Sequence, residues 1–289
     1  KIAMKTNVAA NVVNVIFNYL LIEGHFGFPA LGVSGAAIAT VIGSMVGCIM
    51  SIVAACKNDF ISFPYMWREK IRPTLEVGKS MVKLGASVLA EQLLVRVGFL
   101  SVAVMAAKMG TAAFAAHQVG MNVMSLSFSF GDGMQVAAVA LIGQSLGARN
   151  VDMAKTYGSI CQNIGRMIAA VLAVVYLTCG GYLYNLFFSE PEIIAMGVEI
   201  MRVIVVVVLL QIAQVIYMGC LRGAGDVIYT TIASTVSVTI VRPIASYLLC
   251  YTAGLGIIGI WFGVCADQLV RFILTSLRFR SGKWTKIKI

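Results

Sequence analysis

The 289-residue sequence has few charged side chains, at 12% of the chain, only five prolines and only two histidines. Soluble domains carry about a quarter charged residues, so this composition excludes a soluble globule. Two histidines cannot build a metal site unaided. The seven cysteines form no Cys-x-x-Cys pair and lie mostly in apolar runs, where they are expected to act as small buried side chains. No nucleophilic triad and no Walker lysine is present, so neither an enzyme nor an ATPase is expected.

Apolar residues are abundant instead, at 60% of the chain, and they form runs long enough to cross a membrane. A membrane helix needs about 20 mostly apolar residues. The runs lack the strict alternation of membrane strands. The sequence therefore predicts an all-α integral membrane protein with eight spans, at 8–24, 31–56, 84–106, 118–145, 160–185, 195–219, 229–252 and 255–277.

Basic side chains predict the orientation of these spans. Sixteen lysines and arginines fall in the loops and ends of one side, whereas the opposite loops hold only Lys108. Because basic loops stay in the cytoplasm, both chain ends are expected there, in a multi-pass protein of the cell membrane. The net charge of +10 then reflects topology and contact with anionic membrane lipids, not binding of nucleic acid.

Two short motifs occur twice in the same order. Residues 18–21 (Asn-Tyr-Leu-Leu) resemble 246–249 (Ser-Tyr-Leu-Leu), and 31–35 (Leu-Gly-Val-Ser-Gly) resemble 255–259 (Leu-Gly-Ile-Ile-Gly). Four spans precede the second copy within its half, so an equivalent first half has four further spans before Lys1. Six plus six spans in a parallel repeat are typical of transporters.

The repeat predicts four domains. Residues 1–56 are the last hairpin of an N-terminal lobe, 57–83 a cytoplasmic interlobe linker, 84–277 a C-terminal six-helix lobe, and 278–289 a basic cytoplasmic tail. The linker contains aromatic residues and charges of both signs. It is either an amphipathic segment at the membrane surface or a plain connection.

Four motifs together resemble a known family, the MATE (multidrug and toxic compound extrusion) transporters. They are 32–40 (GVSGAAIAT), 115–118 (AAHQ), 141–150 (LIGQSLGARN) and 221–226 (LRGAGD). The resemblance runs from the family's fifth span to its twelfth and implies a MATE-like bundle of two six-helix lobes, the first incomplete here. It also implies a secondary antiporter that exports amphiphilic drugs or toxic organic compounds in exchange for sodium ions or protons, with no cofactor. A small amphiphilic or cationic substrate and a monomer are expected.

Asn14 and Asn18 lie four residues apart and therefore on one face of the first span. Amide oxygens are ligands for a hard cation, and the resemblance adds Thr40 of the second span to this set. The three residues are the predicted cation site. Some family members carry aspartate where this chain has Asn18; an amide lacks the proton-carrying group of an aspartate, so direct proton coupling at Asn18 is not expected. The alternative is hydrogen bonding that joins the two helices.

Polar side chains inside a span are functional candidates, because their burial in lipid is costly. Glu91, Asp132, Gln211 and Gln214 are predicted to serve substrate binding or proton coupling. Some family members pair a glutamate at the position of Glu91 with an aspartate on the span that here offers Gln211 and Gln214. The alternatives are a structural pair or polar contact for Glu91, with Arg96 as one possible partner, and a packed polar interface for Asp132.

Other functions stay open at this level. A flippase for lipid-linked precursors belongs to the same superfamily, although the few intramembrane charges do not favour it. A membrane transferase would need a polar cluster in long loops, and the loops are short. A fragment that does not transport is the third alternative. Asp267 and Arg271, four residues apart, are expected to form a structural pair.

Overall fold

The computed structural model describes residues 2–57 and 75–286. All regular secondary structure in this part of the chain is helical, as the sequence predicts. The chain divides into two compact units, 1–82 and 83–289. Most of the predicted linker, 58–74, lies outside the described residues, and its last part already belongs to a helix that begins at Leu75.

Eight long helical segments match the eight predicted runs. They are α1 (Ile2–Ile22), α2 (Val33–Cys56), α3 (Leu75–Lys108), α4 (Thr111–Gly147), α5 (Val151–Phe187), α6 (Pro191–Gly223), α7 (Val227–Thr252) and α8 (Gly256–Arg280). Within the described residues, seven of them are long and apolar enough to cross a membrane. The exception is α1, so the expectation of eight apolar spans is wrong by this measure. Its apolar character is diluted by Lys5 and four asparagines: Asn7, Asn11, Asn14 and Asn18.

The first unit is an antiparallel hairpin of α1 and α2. Small residues of α2, among them the buried Gly35, Ala39 and Gly43, face α1. A Cβ atom on Gly43 would lie 2.9 Å from the carbonyl oxygen of Ala10 and 3.0 Å from Cβ of Asn14. Glycine at this point therefore lets the two backbones approach closely, as in other membrane helix pairs.

The second unit contains α3 from residue 83 onward and α4 to α8, with α6 at its centre. Helix α6 packs against α4, α5 and α8, and it is the most apolar of the spans. Its buried side chains include Ile204, Val207, Val208 and Ile212. A second layer of the core forms where the fully buried Trp261 of α8 lies over Gly120 of α4.

Helix α7 is not a regular α-helix throughout. Two π-helical segments, Val236–Val241 and Leu248–Thr252, flank a short α-helical stretch that begins Arg242-Pro243. Proline lacks an amide hydrogen, and a π-helical turn before it accommodates the missing hydrogen bond. The irregular turn sets the position of Arg242, whose side chain is 1% exposed.

The two motif copies also share their local geometry. In the first hairpin the amide of Leu31 donates to the carbonyl of Leu21 (2.9 Å), and in the second the amide of Leu255 donates to that of Leu249 (3.1 Å). The glycine after each of the two amide donors has a positive φ, +53° at position 32 and +58° at position 256.

The glycine at the end of each motif makes the same close contact. A Cβ atom on Gly35 would strike the backbone of Leu21, and one on Gly259 would strike the backbone of Leu249. The internal repeat that the sequence predicts is therefore present in the local structure of both hairpins.

Candidate functional site

In the first unit, the predicted cation ligands form one chain of hydrogen bonds. Nδ2 of Asn18 donates to Oδ1 of Asn14 (3.0 Å), and Nδ2 of Asn14 donates to Oγ1 of Thr40 (3.4 Å). The hydroxyl of Thr40 donates in turn to the carbonyl of Ala36. Oδ1 of Asn18 is buried and accepts no hydrogen bond from the described residues. The structure therefore brings the three predicted residues together.

The groove around Asn14 and Thr40 contains more polar side chains than the three residues that the sequence predicts. Its volume is about 410 Å³, and the missed residues extend it along both helices. Asparagines recur along α1 at intervals of four and three residues, which places them on one helical face. Hydroxyls follow the same spacing on α2. The groove also contains Thr6, and this regular spacing was the available signal for the four other missed polar side chains: Asn7, Asn11, Ser44 and Ser51.

In the second unit, the other four predicted residues line a single cavity of about 550 Å³. Helix α3 supplies Glu91, α4 supplies Asp132, and α6 supplies Gln211 and Gln214. The remaining wall is partly apolar, with Met121, Met124, Phe99, Phe128 and Met218 among its members. The volume is within the range of pockets that enclose small molecules.

Glu91 is not an unpaired carboxylate. Its Oε1 accepts hydrogen bonds from Arg222 (Nη2, 2.8 Å) and Ser234 (2.6 Å), and its Oε2 accepts one from Thr231 (3.0 Å). The sequence offers Arg96 as one partner for Glu91, but Arg96 lies on a different face of α3. It forms no ion pair with any described residue. The partner is Arg222, in the last turn of α6, whose side chain reaches Glu91 on α3.

Asp132 and the two glutamines differ in their surroundings. Asp132 is exposed to the cavity and forms no ion pair within the described part of the chain. Gln211 is fully buried, and neither its Nε2 nor its Oε1 has a hydrogen-bond partner there. Nε2 of Gln214 donates to Oε1 of Gln268 (3.3 Å). Buried amides usually have partners, so Gln211 is a strong candidate to contact a ligand.

A buried ion cluster lies beside this cavity. Oδ2 of Asp267 accepts hydrogen bonds from Nη2 of Arg271 (2.9 Å) and from Nε and Nη2 of Arg242 (3.0 and 2.6 Å). The pair of Asp267 with Arg271 confirms the sequence prediction, whereas Arg242 was missed. Its guanidinium also lies over the ring of Phe99, 4.3 Å from the centroid.

The repeat offered a signal for Arg242. Asn14 lies four residues before Asn18, and Arg242 lies four residues before Ser246, the equivalent of Asn18. Gly43 and Asp267 are also equivalent, since each follows its motif glycine by eight residues. The first hairpin thus pairs an asparagine with a glycine where the second pairs an arginine with an aspartate.

A bundle of apolar helices around a cavity lined by polar and apolar side chains defines a multi-span membrane protein. The chain belongs to the MatE family, whose model matches residues 88–248, more than half of the sequence. Its members are transporters, not enzymes.

Individual relatives agree with this assignment. The chain is 29% identical over 279 residues to the probable multidrug resistance protein NorM of Thermotoga maritima. The aligned region covers 96% of this chain and 59% of that protein. It is 29% identical over 286 residues to the uncharacterized transporter YisQ of Bacillus subtilis. That aligned region covers 98% of this chain and 62% of YisQ. The chain therefore spans about 60% of the length of these relatives.

Solved structures show the same fold. A crystal structure of MATE in the straight conformation matches with a TM-score of 0.85 at 20% identity, over 96% of this chain and 61% of the other. An outward-facing multidrug resistance MATE family transporter matches with a TM-score of 0.83 at 20% identity, over 96% of this chain and 61% of the other.

Proposed function

We propose that the protein is a secondary antiporter that exports small amphiphilic compounds in exchange for sodium ions or protons. The observation that carries the proposal is the cavity of the second unit. It combines apolar lining residues with Asp132, Gln211 and Gln214, and its volume of about 550 Å³ suits a small molecule. Membership of the MatE family and the similarity to multidrug resistance proteins support it.

The coupling ion in this proposal binds in the first hairpin, at Asn14, Asn18 and Thr40. The free Oδ1 of Asn18 supports this choice, because a carbonyl oxygen is a ligand for sodium. The second hairpin is less suitable for an ion. Its equivalent of Asn14 is Arg242, which already carries a positive charge and is paired with Asp267.

Glu91 has a separate role in this proposal. Its carboxylate is held by Arg222, and protonation would remove the charge that holds the pair together. The pair is therefore a candidate link between proton binding and the position of α3 relative to α6. Asp132, Gln211 and Gln214 contact the substrate directly.

The arrangement in the membrane is also a proposal. Both chain ends lie in the cytoplasm of the cell, with 1–56 as the last hairpin of an N-terminal lobe, 57–83 as the linker, 84–277 as the C-terminal lobe and 278–289 as a tail. The basic residues of the cytoplasmic side contact anionic lipids. The functional unit is a monomer.

One observation favours a second candidate, a flippase for lipid-linked precursors. Five charged side chains of the described residues line the cavity, more than the few intramembrane charges of the sequence lead one to expect. They are Glu91, Arg96, Asp132, Arg222 and Arg271. A charged cavity suits the head group of such a lipid.

Transport in proteoliposomes tests both candidates. The purified protein is reconstituted, and efflux of a fluorescent amphiphile is followed under an imposed sodium gradient, an imposed proton gradient, or neither. The antiporter predicts efflux that requires one of the gradients and exceeds that of protein-free liposomes. The flippase predicts gradient-independent movement of a labelled isoprenyl diphosphate between leaflets. Neither activity above the protein-free control would contradict both.

A further inference from the structure

The buried ion cluster of the second unit has more positive than negative charge. Arg242 and Arg271 both donate to Oδ2 of Asp267, and these side chains are 1%, 9% and 0% exposed. One carboxylate balances one guanidinium, so the cluster carries a net charge of +1. An unbalanced charge inside a membrane span is costly unless an ion, a ligand or water neutralises or solvates it.

The excess charge faces the cavity through Arg271. Arg271 is part of the cavity lining, and its Nε donates no hydrogen bond to the described residues. Arg242, in contrast, is covered on one side by the ring of Phe99. Arg271 is thus the guanidinium of the cluster that a bound molecule can reach.

Unused amide groups lie at the same end of the cavity. Nε2 of Gln214 donates a hydrogen bond to Oε1 of Gln268. Gln268 lies three residues before Arg271 and therefore on the adjoining part of the α8 surface. Gln211 precedes Gln214 by three residues on α6 and has a free Nε2. The donors without a partner among the described residues are therefore Nε of Arg271 and Nε2 of Gln211, and both atoms are buried in the wall of the cavity.

The carboxylates of the cavity do not cancel this charge. Glu91 is occupied by Arg222, and Asp132 faces a cavity that also contains Arg96, which forms no ion pair with the described residues. Together, the cavity and the cluster contain four guanidinium groups against three carboxylates. The groups are Arg96, Arg222, Arg242 and Arg271 against Glu91, Asp132 and Asp267.

We propose that Arg271 and Gln211 bind an anionic group of the transported amphiphile, a carboxylate, sulfonate or phosphate. The apolar part of the same molecule packs against Met121, Met124 and Phe128. This inference rests on the proposed export function and changes its substrate class from cations to anions. The anionic group belongs either to a free amphiphile or to a lipid head group, which share this chemistry.

Two dyes with the same ring system and opposite charge test the proposal. Fluorescein is anionic and rhodamine 6G is cationic, and both are xanthenes. Binding to the full chain is measured by fluorescence anisotropy in phosphatidylcholine nanodiscs, with empty nanodiscs as the blank. Fluorescein is expected to bind at least about tenfold more tightly, since a charge-assisted hydrogen bond contributes about that factor. Equal or tighter binding of rhodamine 6G would overturn the proposal.

Variants assign the effect to the cluster. Arg271→Gln is expected to weaken fluorescein binding about tenfold or more, without a lower unfolding temperature, because Arg242 and Asp267 remain as a balanced pair. The matched control is Arg280→Gln, which removes an exposed charge from the same helix and is expected to change nothing. If Arg271→Gln does not fold, Gln211→Leu is used, since the amide of Gln211 has no hydrogen-bond partner to lose among the described residues. Unchanged fluorescein binding in the variant would overturn the proposal.

Competition then identifies the source of the anionic group. Displacement of fluorescein by farnesyl diphosphate at lower concentration than by octanoate indicates a lipid head group, and the reverse order indicates a free amphiphile; both support an anion site. Fluorescein binding that depends on Arg271, without transport in proteoliposomes, would contradict the export function alone. Export of rhodamine 6G that does not depend on Arg271 would contradict the anion site alone.

Discussion

Arg242 and Asp267 form an ion pair with an Nη2–Oδ2 distance of 2.6 Å, and both side chains are almost completely buried. The pair joins α7 to α8 within the helical bundle. Arg271 shares the same carboxylate oxygen, so a single aspartate holds two guanidinium groups. A buried pair of this kind contributes little net stability when complete, but the loss of one partner leaves a charge without compensation.

Asp267→Asn is therefore expected to destabilise the protein by about 3–5 kcal/mol, because two guanidinium groups lose their carboxylate. The measurement is thermal unfolding in detergent. Asp152→Asn is the control, since Asp152 is exposed and its pair with Lys155 spans 3.9 Å. Exposed pairs contribute less than about 1 kcal/mol. Equal unfolding temperatures for the two variants would contradict the prediction.

A double-mutant cycle of Glu91→Gln and Arg222→Gln is expected to show a coupling energy of about 1–3 kcal/mol. The reason is that each single change leaves the partner's charge beside the membrane-buried helices, whereas the double change removes both. Efflux under a proton gradient is measured on the same variants. If Glu91 carries the coupling proton, Glu91→Gln abolishes the response to the proton gradient and keeps substrate binding. A proton response like that of the wild type would assign Glu91 a structural role.

Asn14→Ala is expected to reduce the apparent affinity for the coupling ion about tenfold, roughly the contribution of one oxygen ligand. Substrate binding and membrane insertion are expected to stay unchanged. Efflux is followed at varied sodium and proton gradients at equal expression. Asn163→Ala, an exposed asparagine of α5, is the matched control. If both Asn14→Ala and Asn18→Ala keep the wild-type ion dependence, the two amides only hold α1 to α2.

Gly43→Ala is expected to cost about 1–3 kcal/mol of stability, because its new Cβ would force the backbone of α1 away from α2. The shift would also lengthen the contact of Asn14 with Thr40 and so weaken the ion dependence of efflux. Gly133→Ala is the control, since a Cβ there meets nothing within 4 Å and alanine favours a helix by up to about 1 kcal/mol. A Gly43→Ala variant as stable as Gly133→Ala would show that the hairpin tolerates a wider spacing.

Cysteine labelling tests the orientation. Cys56 ends α2 and is exposed, and Ser189 lies between α5 and α6. In a background without the other cysteines, a membrane-impermeant thiol reagent is expected to reach Cys56 from the cytoplasmic side only. With Cys56 also removed, Ser189→Cys is expected to react from the outer side only. Labelling of both positions from one side would contradict the topology.

Much of the fold is determined by the sequence alone. The eight helical runs, the turns between them and the repeat of the two hairpins follow from local features: apolar length, glycine and charged breaks, and short motifs. Gly35 and Gly259 illustrate the point, because their place in the motif already requires a residue without a side chain. The pair of Asp267 with Arg271 was predictable for the same reason, since one helical turn separates them.

Only the tertiary structure decides which distant polar groups meet. Glu91 and Arg222 are separated by 131 positions, and Arg242 and Asp267 by 25. No local pattern sets the rotation of one helix against another, which depends on how side chains pack between helices, as those of α4, α5 and α8 do against α6. That packing gathers Glu91, Asp132, Gln211 and Gln214 in one cavity, gives Glu91 an unexpected partner, and places Arg271 where a ligand can reach it.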